Sequence, residues 1–323
     1  MKIFITGGTG FIGRHVIEKL RSQEFPAIFA LTRKKERGRE PDVFYIEGDI
    51  CDTSLIHDCA GDADYIIHMA GCKNDPHLFF KTNVEGTKNI IQACSTNNTL
   101  RKLIYVSSVG VIGDVQDVLI DEETVCHPNN EYERSKYQAE LIVREYSAQN
   151  PGKVIIVRPT NVFGENDPDL HLLNLFRKIK HHCFFFVGRD ISQYYVNNVY
   201  VKELSELIAQ LLTLSPPHDV YILNTPTPLS QFILMIKEIL KDKTPIKHLP
   251  YWPIKLIAHC FDCIPKELMR NPPINTLKLT ELTNRKQYCA SLLAKDLPWQ
   301  PAFTMEEALA NLIAHYDQKK LLA

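Results

Sequence analysis

Tyr132 and Lys136 stand four residues apart in the segment NEYERSKYQAE, residues 130–140. On a helix that spacing puts a phenol and an ammonium on one face, one turn apart. A free tyrosine ionises near about 10. An adjacent cation favours the phenolate, so such a pair could give a proton to a carbonyl or take one from a hydroxyl. By itself Y-x-x-x-K is weak evidence. Glu131, Glu133, Arg134, Gln138 and Glu140 give the segment the look of an ordinary solvated helix.

A second group of residues suits a cofactor that would need such proton transfer. FITGGTGFIG places Gly7, Gly8, Gly10 and Gly13 directly after an apolar strand and at the head of a helix. Gly8-x-Gly10-x-x-Gly13 satisfies the dinucleotide fingerprint, and Gly7-x-x-Gly10-x-x-Gly13 a close variant of it. Glycines permit the tight turn and the approach of backbone to pyrophosphate, whose charge then meets a helix N-terminus. The candidate contacts are Gly7, Gly10, Phe11, Ile12 and Gly13. About twenty residues beyond the last glycine, a carboxylate would bind the ribose 2′-hydroxyl of NAD. There the sequence reads LTRKKERGR, with Thr32 and Arg33 at that place. A guanidinium suits a 2′-phosphate, so Arg33, assisted by Lys34, points to NADP, with NAD as the alternative.

The elements that must position these groups alternate. Strands are expected at Lys2 to Thr6, Ala27 to Leu31, Val43 to Ile46, Tyr65 to Met69, KLIYVSS and KVIIVRP. Helices are expected near Ile12 to Gln23, Ser54 to Ala60, Leu78 to Ser95 and Glu131 to Gln149. Short apolar strands separated by helices require a parallel sheet covered on both faces. Right-handed crossovers then make it α/β and doubly wound, a Rossmann arrangement. Beyond Gly164 the rhythm breaks. Val201 to Leu214, Leu229 to Leu240 and Met305 to His315 read as helices, VYILN as a strand, and HLPYWP and RNPPINT as loops. The expected organisation is a Rossmann domain over 1–164, to which the chain returns near 196–225. Residues 165–323 form mainly a smaller substrate-binding domain.

Composition narrows the class. The 323 residues are 45% hydrophobic and 23% charged, as in a soluble globular protein. A net charge of −1 gives no reason to expect a nucleic-acid partner. No apolar run approaches the roughly 18 residues of a membrane span, and the step from Met1 and Lys2 into a strand leaves no room for a signal peptide. Nine scattered cysteines suit a reducing cytoplasm. The C-x-x-C at Cys260 and Cys263 has no second pair, and structural zinc needs four ligands, so no metal is expected. His181 and His182, beside Cys183, read as the start of a strand.

Taken together these motifs resemble an extended short-chain dehydrogenase/reductase of the NAD-dependent epimerase/dehydratase group, over nearly the whole chain. TGGTGFIG is similar to the family's cofactor turn. EGDI, with Asp49 and Ile50, resembles the loop that meets adenine, and HMAG, with Met69, Ala70 and Gly71, the segment under the cofactor. TNVEGTKNI resembles the helix with a structural asparagine, here Asn83. YVSSVGVIG resembles the strand that ends in the active hydroxyl. VRPTNVFG, with Pro159 and Asn161, resembles the stretch bordering cofactor and substrate. Lys202 and Glu203 stand where two acidic residues are usual, and Pro298 replaces the glycine usual before Trp299.

The resemblance implies that Tyr132 moves the proton and that Lys136 also holds the nicotinamide ribose. It implies that the active hydroxyl lies five residues before Gly113, which is Ser108. Ser107 then points to the opposite face as a buried hydroxyl bonded to backbone. It also implies the reaction class. Dehydratases of this type carry a carboxylate pair beside the active hydroxyl, whereas Val109, Gly110, Val111 and Ile112 follow Ser108 here. That leaves an NADPH-dependent reductase of a ketone, such as a keto sugar nucleotide, or an epimerase that keeps NAD bound. Asn161 would meet the substrate diphosphate, but only Arg189 is present where a phosphate-binding arginine is expected. A reductase of hydroxysteroid or dihydroflavonol type is therefore the alternative, with Leu249 to Ile264 as a possible greasy lining. A non-catalytic NADP-binding sensor is the third reading. Family members often pair as homodimers, for which Ile90, Ile91, Leu141 and Ile142 are candidates here.

Overall fold

The computed structural model describes the chain except for residues 24, 26, 35–39, 41, 117, 265–268, 270, 271 and 323. Part of the basic stretch after Lys34 and the start of RNPPINT thus lie outside the described residues. The strands are Lys2–Thr6 (β1), Ala27–Thr32 (β2), Val43–Glu47 (β3), Tyr65–His68 (β4), Lys102–Val106 (β5), Leu119–Ile120 (β6), Val154–Pro159 (β7), Asn161–Phe163 (β8), Phe185–Val187 (β9), Tyr195–Tyr200 (β10), Val220–Leu223 (β11), Thr225–Pro228 (β12), Lys247–Leu249 (β13) and Gln287–Tyr288 (β14). Seven of them form one sheet of order β11-β7-β5-β4-β1-β2-β3. Every pairing in it is parallel, as the expected Rossmann fold requires.

The helices are Phe11–Ser22 (α1), Thr53–Ala60 (α2), Gly86–Thr96 (α3), Glu131–Gln149 (α4), His171–Lys180 (α5), Val201–Leu211 (α6), Leu229–Ile239 (α7), Tyr251–Asp262 (α8), Thr276–Leu282 (α9), Ser291–Asp296 (α10) and Met305–Gln318 (α11). Alternation along β1 sends Ile3 and Ile5 to one face and Phe4 to the other. The first face packs on Val16, Ile17 and Leu20 of α1 and Leu204, Leu207 and Ile208 of α6. The second packs on Ile56 of α2, Ile90 of α3 and Ala139 and Val143 of α4. A further core joins α5, α7 and α11 through Phe176, Phe232 and Leu309. The chain thus leaves the large sheet after β7, forms β8 and α5, and comes back through α6 and β11. Among the described residues no helix is long and apolar enough to cross a membrane.

Four expectations are corrected. Leu78 to Ser95 is not one regular helix, because a 3-10 turn at Pro76–Leu78 and a π-helical turn at Phe79–Glu85 precede α3. His181 and His182 close α5 rather than open a strand. His182 adopts a left-handed φ of 56° there, which breaks the helix, and β9 begins only at Phe185. HLPYWP is not a loop, since it spans the end of β13 and the start of α8. Glu140 of α4 is not solvated: it is fully buried, for a reason the site supplies.

Candidate active site

The strand order reverses between β1 and β4, so the loops leaving them open a crevice at the C-terminal edge of the sheet. Gly7 lies at φ 74°, and a Cβ there would sit 2.8 Å from the Ala70 nitrogen. A Cβ on Gly13 would sit 2.2 Å from the Gly7 carbonyl oxygen. Gly10 caps α1 with no side chain bonded to its amides and no acidic residue in its first turn. Those amides, at Phe11, Ile12 and Gly13, therefore remain open to an anion. This cradle fits a dinucleotide pyrophosphate.

The loop after β4 closes the crevice. The Met69 amide donates to the Thr6 carbonyl at 3.1 Å and the Ala70 amide to Thr6 Oγ1 at 3.2 Å. Beyond Gly71, Asn83 accepts from the Cys72 amide at 2.7 Å and donates to the Cys72 carbonyl at 3.0 Å. Its Nδ2 also donates to Ser135 Oγ of α4 at 2.9 Å. One buried amide thus ties the loop to the tyrosine-bearing helix.

Arg33 and Lys34 are exposed just past β2, where Thr32 Oγ1 donates to the Lys34 carbonyl at 2.9 Å and fixes the turn. Asp49 accepts from the Cys51 amide at 2.9 Å. That bond holds its carboxyl below the usual range, with Lys81 and Arg33 adding to the effect. Ile50 is buried against α3. Pro159 ends β7, and Asn161 is exposed on β8.

α4 starts where Asn130 accepts from the Glu133 amide at 2.9 Å. Its buried face carries Ser135, Lys136, Ala139, Glu140 and Val143. Polar residues on a buried face are held by partners. Lys136 donates to the Val106 carbonyl at 3.0 Å, at the end of β5, and lies over the Tyr105 ring at 4.6 Å. Burial pushes its ammonium down to about 8, against the pull of Glu140. Tyr132, one turn earlier, is half-buried and meets Phe79 edge-on at 5.7 Å. Burial, with Glu133 and Cys72 nearby, raises its pKa. That direction is opposite to the one expected from the lysine alone, because burial dominates.

The two serines separate cleanly. Ser107 is buried and donates to Glu140 Oε2 at 2.6 Å, a carboxylate rather than the expected backbone group. Ser108 is half-buried, and its Oγ accepts from the Gly110 amide at 3.0 Å. Its hydroxyl proton stays available to a ligand oxygen. The structure thus brings Ser108, Tyr132, Lys136 and the glycine turn to the C-terminal edge of β1, β4 and β5. Asn161 and Arg189 are both exposed.

Two buried features escaped the sequence reading. Arg158 of β7 donates to both Glu140 oxygens, at 2.6 and 3.1 Å. Burial raises the Glu140 pKa, but Arg158, Ser107 and Arg144 outweigh it and hold the carboxyl below its usual range. An arginine inside the apolar run VIIVRP was the available signal, since a charge there requires a buried partner. His68 of β4 bridges Thr6 Oγ1 at 2.7 Å and Thr87 Oγ1 at 2.9 Å. No spacing in the sequence announces that bridge.

A doubly wound parallel sheet with a glycine cradle at its switch point defines the Rossmann class. Within it the chain belongs to the NAD dependent epimerase/dehydratase family, whose sequence pattern matches residues 3–221. It is 26% identical over 302 residues to N-acetyl-alpha-D-glucosaminyl-diphospho-ditrans,octacis-undecaprenol 4-epimerase of Escherichia coli O157:H7, covering 90% of this chain and 86% of that one. It is 24% identical over 331 residues to human sterol-4-alpha-carboxylate 3-dehydrogenase, decarboxylating, covering 97% and 87%. UDP-glucose 4-epimerase of Thermotoga maritima, solved with UDP-glucose, shares the fold with a TM-score of 0.72 at 19% identity, covering 99% and 100%.

Proposed function

We propose that this protein transfers hydride at a keto or hydroxyl carbon of a nucleotide sugar, as an NADPH-dependent reductase. An epimerase with bound NAD is the nearer alternative. The observation that carries the reading is the buried Lys136, fixed at the Val106 carbonyl two residues before Ser108 and one helical turn from the half-buried Tyr132. The dinucleotide supplies or accepts the hydride. Ser108 donates to the substrate oxygen, and the Tyr132 phenol gives that oxygen its proton during reduction or takes it during oxidation. A phenol kept protonated by burial suits donation. Lys136 positions the nicotinamide ribose and, when charged, favours the phenolate that donation leaves.

Arg33 and Lys34, exposed where the adenosine ribose would lie, support NADP by charge. The family's NAD dependence supports NAD. Val109 to Ile112 supply no carboxylate beside Ser108, which argues against a dehydratase. The likeness to the sterol dehydrogenase and the outlying Arg189 favour a second reading, a reductase of a small apolar ketone. The E. coli relative favours a sugar diphosphate. Exposed Leu141 on α4 and half-buried Ile91 and Ile142 support a homodimer through α3 and α4, whereas Ile90 is fully buried in the core.

Tyr132→Phe tests the reading. Nicotinamide fluorescence on titration with NADPH and NADH is expected to show cofactor binding retained, with NADPH preferred. Turnover is expected to fall by about 10²-fold or more. Unchanged turnover with intact cofactor binding would leave only a binding or sensing role.

A further inference from the structure

The surface around α8 has its own concentration of apolar groups. Five of the fourteen large hydrophobic residues exposed among the described residues lie between 252 and 277. Trp252 is 74% exposed, Leu256 66% and Ile257 44%, all on α8, while Leu277 of the adjoining α9 is 68% exposed. The other side of α8 is already used. Ile254 and Ala258 are buried against Val187, Ile274 and Leu279. Trp252, Leu256 and Cys260 follow one another at four-residue spacing, so they form a single outward row, with Ile257 beside it. A helix apolar on both faces is not finished by its own fold.

The charges around this row decide what covers it. The described residues 237–264 hold five lysines against three aspartates and glutamates, and of these Lys237 is paired with Asp242. Lys241, Lys243, Lys247 and Lys255 are exposed. Lys255 and His259 share α8 with the apolar row, and the Lys255 ammonium rests 5.3 Å from the Trp252 ring centre. A two-fold contact between copies would set this basic border against itself, since each side presents the same patch. A bilayer carrying anionic headgroups satisfies both features at once: acyl chains take the row, and phosphates take the lysines. Tryptophan flanked by lysine suits that boundary. α8 has 12 residues, about 18 Å, too short to span and long enough to lie flat in the interface.

We propose that α8 docks this protein on the surface of an anionic phospholipid membrane. Trp252, Leu256 and Ile257 enter the headgroup boundary, and Lys255 with Lys241, Lys243 and Lys247 faces lipid phosphate. The inference stands on the α8 surface alone and is independent of the catalytic reading.

Flotation of the full chain with vesicles tests it, using phosphatidylcholine alone or with about 30 mol% phosphatidylglycerol. The protein is expected to float with the anionic vesicles, several-fold less with neutral ones, and to be released by high salt. Trp252→Ser with Leu256→Ser is expected to cut partitioning by roughly tenfold or more, with thermal unfolding unchanged because both residues are exposed. Tryptophan emission of the unaltered protein provides a check without a variant. Trp299 is already buried, so a blue shift on adding anionic vesicles reports Trp252. A protein that stays in solution with every vesicle, its emission unmoved, overturns the proposal. So does concentration-dependent dimerisation that the same two substitutions abolish, because the face would then belong to a second copy.

Discussion

His68 is bonded to the hydroxyls of Thr6 and Thr87, and burial, followed by the nearby Lys136, pushes its pKa from 6.5 down to about 3. The unfolded chain binds a proton in that window and the folded chain does not. Stability therefore falls as pH drops from about 6.5 towards 3. His68→Gln removes the titrating group, so its stability, followed by urea denaturation over a pH series, should fall less steeply on acidification than that of the unaltered protein. Parallel pH curves would refute this account. Arg158 shows the opposite way of keeping a buried polar group. Its guanidinium forks onto Glu140, whose carboxylate also accepts from Ser107, immediately before Ser108. Burial of that charge is tolerable only with its partner in place.

The elements differ in how plainly the sequence announces them. β1, β5 and β7 were legible because a parallel sheet buries both faces of its strands, which leaves continuous apolar runs. The glycine turn was legible because Gly7 and Gly13 have no room for a side chain. α4 was found at its observed bounds, but its inner face was misread. Counting charges could not tell that Glu140 looks inward to Arg158 while Glu131 looks out. The π-helical turn at Phe79–Glu85 has no sequence pattern of its own and is decided by tertiary partners. It carries Asn83, whose amide holds both the Cys72 backbone and Ser135. Asn83→Leu keeps the volume and removes those bonds, leaving buried polar groups unpaired at about 1–3 kcal/mol each. Thermal melts should show a lower midpoint and a smaller stabilisation by added NADPH or NADH. A midpoint and a cofactor response equal to the unaltered protein's would sink the idea that Asn83 braces the crevice.

For the whole molecule, the decisive feature is the order in which the chain visits the large sheet. The expected division, 1–164 with a return near 196–225, implies that a fragment ending at 164 is incomplete. It would lack β11, baring one edge of β7, and α6, baring Val16, Ile17 and Leu20 of α1. An apolar edge without its neighbour is a template for aggregation. Expressed alone, residues 1–164 should be recovered mainly as aggregate by size-exclusion chromatography. A monodisperse fragment that binds NADPH would show that the first six strands stand without the seventh.

The same route through space sets a clock on synthesis. β7 ends at Pro159 and β11 begins at Val220, about sixty residues later. A ribosome adding about 5–20 residues per second leaves that edge waiting for ~3–12 s. During those seconds the nascent chain already carries its glycine cradle, Tyr132 and Lys136, yet cannot close the sheet beneath them. Slower translation between residues 160 and 220 lengthens that exposure, so synonymous recoding that slows it should lower the soluble yield of an otherwise identical chain.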